Sequence, residues 1–302
     1  MNNITIIVKK ELEGFRLDKY LSGLDLGLTR TAIQGLIEEG NILVNGKKVV
    51  KNYKQKNGDI INITIPETEE FEVVAENIPI EIVYEDEDLL IVNKPKGMVV
   101  HPANGNYTGT LVNALLYRCG DNLSTINGDI RRGIIHRIDK NTSGLLIVAK
   151  NDNAHIVLAE QIKDHSFTRE YEAIVWGRFQ NTKGTIDLPI GRSHIDRKKM
   201  CVTDRNSKRA VTHYEIIEEY GNYTHLRLKL ETGRTHQIRV HMAHIGHYVL
   251  GDDVYGKAFN GIDGQCLHAK KIGFIHPATG QYMEFESPLP EYFIKIIRRI
   301  SN

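Results

Sequence analysis

The chain has 302 residues, of which 41% are hydrophobic and 25% are charged, and this balance excludes collagen-like, low-complexity and wholly disordered proteins. No apolar run is long enough for a membrane-spanning helix, and the N-terminal residues lack the apolar core and cleavage site of a signal peptide. The three cysteines lie far apart and form no CxxC pair. We therefore expect a cytoplasmic protein without a disulfide framework or a cysteine-rich zinc site.

The formal net charge of +1 conceals an uneven distribution along the chain. Residues 1–65 carry 10 Lys and Arg against 7 Asp and Glu, residues 66–88 carry 10 acidic residues and no basic one, and residues 89–302 carry 29 against 21. Two basic regions joined by an acidic segment are compatible with a polyanionic partner, because Lys and Arg neutralise phosphates. They are equally compatible with ordinary solvated surfaces.

The first 65 residues are typical of a small α+β unit. Apolar residues recur at helical spacing in two segments, the second of which is expected to end at Gly40. Alternation on both sides of Asn45-Gly46 predicts a β-hairpin, and residues 57–65 predict a closing strand. The acidic residues 66–79, which begin and end with proline, are expected to form a linker.

From residue 80 onward, strand-like segments outnumber helical ones and do not strictly alternate with them. Helices are predicted over residues 110–119 and 151–165. We therefore expect an α+β protein, with a small N-terminal domain followed by a larger domain over residues 80–302. That domain should contain a mixed, mainly antiparallel β-sheet with flanking helices. The sequence contains neither GxxxxGK[ST] nor GxGxxG, so those two motifs give no support to a nucleotide cofactor.

The run GIIHRIDKNTSGLLIVAK, residues 133–150, is the most specific in the chain. It contains one carboxylate, Asp139, between Arg137 and Lys140. A lone Asp in a polar turn is usually only a turn residue. Here, however, buried-strand sequence on both sides would hold the carboxylate at the edge of a sheet, and the neighbouring cations would keep it ionised.

HRIDKNTSG resembles the HRLDxxTSG signature of the RluA/RluD family of pseudouridine synthases. Residues 92–117, 169–177 and 231–256 agree with that family in the same order. The N-terminal unit resembles the RNA-binding fold named after small-subunit ribosomal protein S4. The resemblance covers nearly the whole chain, and the two-domain layout favours the branch of the family that modifies large-subunit ribosomal RNA.

This resemblance implies an isomerase that converts uridine in RNA to pseudouridine by detaching the base, rotating it and reattaching it through a carbon atom. Such an enzyme must lift the base out of its stack. The family chemistry implies no redox cofactor, ATP or metal. The expected partner is ribosomal RNA or a precursor of the large ribosomal subunit. We expect no membrane association and a monomeric protein.

Site residues also follow from the resemblance. Asp139 matches the catalytic aspartate, which acts on either the sugar or the pyrimidine ring. Tyr171 matches a tyrosine that stacks on the flipped base, although strand alternation equally allows a core residue. Arg239 matches the partner of the carboxylate. Arg137 matches an arginine that can occupy the space left by the base, but it could also be an ordinary surface residue. The other residues expected at RNA are Arg16, Arg30, Thr31, Gln34, Lys47, Lys48, Arg234 and His236.

The four histidines from His236 to His247 could suggest a zinc site, since histidine is a common zinc ligand. The HExxH motif is absent, however, and no cysteine pair assists. THQIRVHM also alternates like a strand, which would place His236 and His241 on opposite faces. We therefore expect no metal site here.

The sequence is also compatible with other functions. The chain could modify transfer RNA or several RNAs, or it could be a non-catalytic RNA-binding or ribosome-assembly protein. Binding alone would not need Asp139, Tyr171 and Arg239 together. A hydrolase of the glycosidase type would need a second carboxylate near Asp139, and the nearby motifs supply arginines instead.

Overall fold

The computed structural model describes residues 2–24, 26–66, 72–103, 105–196 and 199–301. Contacts within the chain divide it into two compact units, Met1–Phe71 and Glu72–Asn302. Among the described residues, every helix is too short or too polar to cross a membrane.

The small unit combines helices with one antiparallel sheet of strand order β1-β4-β2-β3. Its elements are β1 (Asn2–Ile7), α1 (Leu17–Leu21), α2 (Arg30–Glu39), β2 (Ile42–Val44), β3 (Lys47–Lys48) and β4 (Ile60–Ile65). The predicted hairpin forms between β2 and β3, where Asn45 and Gly46 both have positive φ. Gly40 ends α2 in the left-handed conformation, as expected. Strand β1 was not predicted from the sequence.

Within its described residues, the larger unit contains two sheets and several helices. Its strands are β5 (Glu81–Glu85), β6 (Leu89–Lys94), β7 (Ser143–Ala149), β8 (Thr168–Trp176), β9 (Lys183–Asp187), β10 (Ile190–Arg192), β11 (Met200–Val202), β12 (Ser207–Lys208), β13 (Val211–Tyr220), β14 (Tyr223–Leu230), β15 (Leu267–Ile275) and β16 (Tyr282–Glu286). Its helices are α3 (Leu111–Cys119), α4 (Asp152–Lys163), α5 (Gln237–His244) and α6 (Glu291–Ile300).

The main sheet has the strand order β5-β6-β7-β15-β8-β14-β13-β9, with β16 on β15. Among the described residues, neighbouring strands in this sheet are antiparallel except β7 and β15, which run parallel. The structure thus confirms the predicted mixed, mainly antiparallel architecture. Strand β7 is buried along its whole length, because apolar clusters cover both faces of the sheet. A smaller sheet has the order β11-β10-β12.

Part of the segment expected to be a linker belongs to the larger unit. Val73 is buried in the main core, and the Asn113 side-chain amide donates to the Val74 carbonyl at 2.7 Å. Residues 67–71 of that segment lie outside the described residues.

The prediction that THQIRVHM is a strand was wrong, since residues 237–244 form α5. Gln237 starts the helix, and its Oε1 accepts hydrogen bonds from Thr232 Oγ1 and the Arg234 backbone amide. Residues 237–242 are all buried, so no polar face reveals the helical period. The apparent alternation of apolar and polar residues therefore misled the sequence interpretation.

Candidate active site

Asp139 lies in the loop that leads into β7, and this loop is held by its own turn and by the end of β6. The Thr142 amide donates to the Asp139 carbonyl at 3.0 Å. The Lys140 carbonyl accepts from the Gly97 amide at 2.9 Å and from Lys94 Nζ at 3.2 Å. Lys94 is fully buried, and this burial lowers its pKa to about 7. These bonds hold the carboxylate-bearing loop against the rigid sheet.

The Thr-Ser-Gly run after Asp139 fixes the start of β7 against neighbouring chain segments. Thr142 Oγ1 accepts from Gln265 Nε2 at 3.0 Å, and Ser143 Oγ lies 2.8 Å from His268 Nδ1. Gly144 has φ of +113°, and a Cβ at this position would overlap the backbone of Ala269 on β15. Only glycine allows the close approach of β7 and β15 at this point.

The Asp139 carboxylate forms an ion pair with an anchored arginine. Arg239 on α5 is 5% exposed, and its Nη1 donates to Asp139 Oδ2 at 3.0 Å. Its Nε and Nη2 donate to the two carboxylate oxygens of the fully buried Asp252 at 2.7 and 2.9 Å. Burial alone lowers the pKa of Arg239, but the bonds and charges of Asp252 and Asp139 raise it overall. Arg239 is therefore a fixed cation that orients Asp139.

His236 approaches Asp139 from another side, at the left-handed residue (φ of 56°) that precedes α5. Its Nδ1 lies 2.7 Å from the Tyr255 hydroxyl, whose oxygen accepts from the Met200 amide at 2.9 Å. The hydroxyl can therefore donate its proton to Nδ1, and in that arrangement the neutral imidazole carries its own proton on Nε2. Nε2 lies 3.9 Å from Asp139 Oδ1. Burial lowers the pKa of His236, so the neutral ring is favoured.

Two cavities adjoin the Asp139 carboxylate. The first has a volume of about 520 Å³, and Tyr171 lies in its wall together with Asp139 and Arg239. The second, of about 510 Å³, is lined by Asp139 and His101. Tyr171 is 7% exposed, and burial raises its pKa to about 12, so its hydroxyl keeps its proton at neutral pH. Volumes of this size suit a small ligand or a single nucleotide.

The structure brings six of the predicted site residues to the wall of the first cavity. These are Arg137, Asp139, Tyr171, Arg234, His236 and Arg239. Arg137 is exposed at the rim and Arg234 is half-buried, whereas Arg239 lies deep. The cavity wall therefore combines the Asp139 carboxylate and the Tyr171 ring with several cations.

Three of the predicted residues of the small unit surround a carboxylate, Asp18, for which the sequence predicted no role. The fully buried Asp18 accepts from Arg16 Nε at 3.0 Å, Arg30 Nη2 at 2.9 Å and Gln34 Nε2 at 2.7 Å. These bonds, led by that of Arg16, hold the pKa of Asp18 well below its usual range. Both guanidinium groups remain about half exposed.

The remaining predicted residues of this unit lie near its surface. Arg16 and Lys48 line one shallow cavity, and Lys48 Nζ donates to the Glu39 carbonyl at 3.0 Å. Thr31 and Lys47 are exposed. The exposed cations are available for phosphate contacts, while Asp18 sets the orientation of the two arginines.

Two of the clustered histidines, His241 and His247, make separate contacts within the protein. The His241 ring contacts Thr212 Oγ1 and the Leu188 carbonyl, whereas the His247 ring contacts the Trp176 carbonyl and stacks on Phe179. A different group, Asp86, Asp88 and His276, brings its ligand atoms within 4.8 Å of one another. His276 Nδ1 there accepts from two backbone amides and its Nε2 donates to Asp86, which explains the cluster as a hydrogen-bonded turn.

Lys94, Asp252 and Tyr255 were not predicted as site residues, although all three lie in segments that resemble the family. A lysine at the end of the apolar strand LLIVNK was one available signal, because a buried lysine needs several acceptors. An aspartate beside glycine in GDDVYG was another, since such a residue often accepts backbone hydrogen bonds in a turn.

Comparisons with known proteins identify a family for each of the two units. Residues 88–244 match the family described as RNA pseudouridylate synthase, and residues 15–61 match the S4 domain. An uncharacterized RNA pseudouridine synthase of Bacillus subtilis (strain 168) is 50% identical over 99% of both chains. The ribosomal large subunit pseudouridine synthase D of Zymomonas mobilis (strain ATCC 31821 / ZM4 / CP4) is 47% identical over 95% of this chain and 94% of its own.

A solved structure shares the fold of the larger unit. Human RNA pseudouridylate synthase domain containing 1 superposes with a TM-score of 0.57 at 26% identity, covering 75% of this chain and 96% of its own. The match of the family model, the near full-length relatives and this structural likeness lead to one assignment. The chain belongs to the RNA pseudouridine synthase family and is an isomerase with an N-terminal S4 domain.

Proposed function

We propose that this protein converts uridines of large-subunit ribosomal RNA to pseudouridine, with Asp139 as the catalytic carboxylate. The observation that carries the proposal is the ion pair of Asp139 with Arg239 at 3.0 Å, formed on a cavity that Tyr171 also lines. A flipped nucleoside in this cavity could place its sugar and ring near Asp139. Unstacking the base costs free energy, which contacts in the pocket offset.

Each proposed side chain has a distinct physical task. Arg239 holds Asp139 in one orientation, because Asp252 anchors Arg239 from the opposite side. The Tyr171 ring offers a flat face for the base, and its protonated hydroxyl can donate a hydrogen bond. Arg137, exposed at the rim, can stack in the gap that the base leaves or bind phosphate.

Ribosomal RNA is favoured as the substrate because several relatives, at 41–47% identity over nearly their full length, are described as ribosomal large subunit pseudouridine synthase D. The S4 domain supplies exposed cations for RNA outside the cavity. Because Asp139, Tyr171 and Arg239 line one cavity of one chain, we also propose that a monomer is active. A ribosomal substrate agrees with the expected cytoplasmic location.

The test is to map pseudouridines in ribosomal and transfer RNA from cells with and without this gene, and to repeat the mapping after complementation. We expect specific large-subunit sites to disappear and to return with the parent gene. Loss of pseudouridine only from transfer RNA would refute the ribosomal substrate. An unchanged map would refute both ribosomal RNA and transfer RNA as substrates.

A further inference from the structure

Arg169 is a buried cation in the wall of the first cavity and is distinct from the residues proposed to act on the base. It lies on β8 two residues before Tyr171, so both side chains leave the strand on the same face. It is 4% exposed, and its Nη2 donates to the Glu231 carbonyl at 3.0 Å. Its buried Nε has no hydrogen-bond partner. Within the described residues, no carboxylate forms an ion pair with this guanidinium.

Such an arrangement is unfavourable in the absence of a ligand. A buried charge is normally paired, and a buried donor is normally hydrogen-bonded, because each loses its hydration on folding. Burial lowers the pKa of Arg169, and the nearby charge of Arg234 acts in the same direction. An unpaired cation in a cavity wall therefore indicates a ligand that brings an oxygen atom carrying negative charge.

The chain leaves space for this guanidinium through Gly233. A Cβ at residue 233 would lie 2.7 Å from Arg169 Nη1, closer than real contacts allow. Gly233 does not have a positive φ, so its backbone conformation does not require glycine. Glycine is required at residue 233 because the Arg169 guanidinium approaches so closely.

We propose that Arg169 donates from its guanidinium group to a carbonyl oxygen of the target uracil and stabilises the negative charge that this base acquires during isomerisation. This inference rests on the proposed function. The base becomes negatively charged whichever atom Asp139 attacks. If the C1′–N1 bond breaks first, its electron pair stays with the base and the charge spreads over N1, O2 and O4. If Asp139 adds to C6, the displaced π electrons form an enolate at O4.

The overall step is balanced without an additional reactant. The C1′–N1 bond breaks and the C1′–C5 bond forms, C5 loses a proton, and N1 gains one. A fixed donor aimed at the oxygen that carries the transient charge lowers the barrier without itself reacting.

The depth of Arg169 favours the base over the RNA phosphate as its ligand. Arg137 is exposed and Arg234 half-buried, so these two residues are accessible to the strand that stays outside the cavity. Arg169 lies beside Tyr171, the residue proposed to stack on the base. A phosphate ligand remains the competing outcome of the experiment.

The experiment compares Arg169→Ala with Arg227→Ala, a matched control at an exposed arginine on β14. Single-turnover isomerisation is measured at saturating RNA, beside RNA binding and a thermal melt. Loss of one donor to a transition-state oxyanion slows enzymes by roughly 10²- to 10³-fold. We expect a decrease of this order for Arg169→Ala, a change in RNA affinity of only a few fold, and a rate like that of the parent for the control.

Two further measurements distinguish chemistry from a structural role. Guanidinium ion, at concentrations that leave the melt unchanged, should restore part of the rate of Arg169→Ala and should not affect Arg227→Ala. If Arg169→Ala does not fold, Gly233→Ala provides the test, since it displaces the guanidinium but keeps its charge, and its saturated rate should fall.

A saturated rate like that of the parent in a folded variant, with only RNA affinity reduced, would overturn the inference in favour of a phosphate contact. Failure of guanidinium to restore any rate to folded Arg169→Ala would also count against it. Failure of the parent protein to form any pseudouridine would instead refute the proposed function, so the two failures are distinguishable.

Discussion

Replacing Asp252 by Asn tests whether the proposed orientation of Asp139 depends on a second, buried carboxylate. Asp252 is fully buried and accepts bonds from Arg239 Nε and Nη2 and from the Val254 and Tyr255 amides. The Asn side chain can still accept the backbone bonds through one oxygen, but it loses the charge and presents an NH₂ group to an arginine donor. Arg239 then keeps Asp139 as its only carboxylate partner among the described residues.

Removing one partner of a buried ion pair costs about 3–5 kcal/mol. In a unit the size of residues 72–302, each kcal/mol lowers Tm by about 2–4 °C, so Tm should fall by about 6–20 °C. The remaining bond to Asp139 favours the lower half of that range. The saturated single-turnover rate should also fall, because Arg239 loses its anchor.

The matched control is Asp253→Asn, the same charge change at the exposed neighbour, where we expect stability within about 0.5 kcal/mol of the parent. Thermal melts by circular dichroism and single-turnover assays measure both effects. If Asp252→Asn melts within about 2 °C of the parent and isomerises at the parent rate, Asp252 does not hold Arg239 in its active orientation.

Three other predictions concern separate parts of the molecule. Tyr171→Ala should slow saturated turnover more than Tyr171→Phe, because only Ala removes the stacking face; unchanged turnover in both folded variants would assign Tyr171 to the core. Lys94 has its pKa lowered to about 7 by burial, so above pH 7 the unfolded chain binds more protons. The stability of the parent relative to Lys94→Met should therefore rise from pH 7 to 9 in thermal melts, and a constant difference would contradict this. Replacing Lys47 and Lys48 by Gln should weaken RNA binding and reduce the salt slope by about 0.7–0.9 per lost phosphate contact, whereas an unchanged slope would place the RNA elsewhere.

The elements that could be predicted are those with a local signal. The hairpin at Asn45-Gly46 needs two left-handed residues, and this dipeptide is among the few that adopt that conformation readily. The helix α3 begins with a capping box between Thr110 and Asn113. By contrast, α5 is buried nearly all round and therefore carries no helical period in its hydrophobicity.

The candidate site could be predicted only as far as local motifs reach. Asp139 could be predicted as a site residue because the motif that identifies it consists of its own neighbours in the sequence. The environment of Asp139 depends on contacts between distant parts of the chain, such as Lys94 with the Lys140 carbonyl and Arg239 with Asp139. The unpaired state of Arg169 is likewise a tertiary property, since the sequence does not show which carboxylates approach it.

The catalytic assignment of Asp139 is tested most directly by single-turnover isomerisation of Asp139→Asn at saturating RNA, measured beside a thermal melt and RNA binding. Asn preserves the shape of the side chain but removes the charge that pairs with Arg239 and the nucleophilic oxygen. Because Asp139 is partly exposed to the two cavities, the variant should remain folded. We predict that turnover disappears while RNA affinity stays close to that of the parent. A lower Tm with a measurable fraction of the parent rate would identify Asp139 as a structural turn residue and contradict its catalytic role.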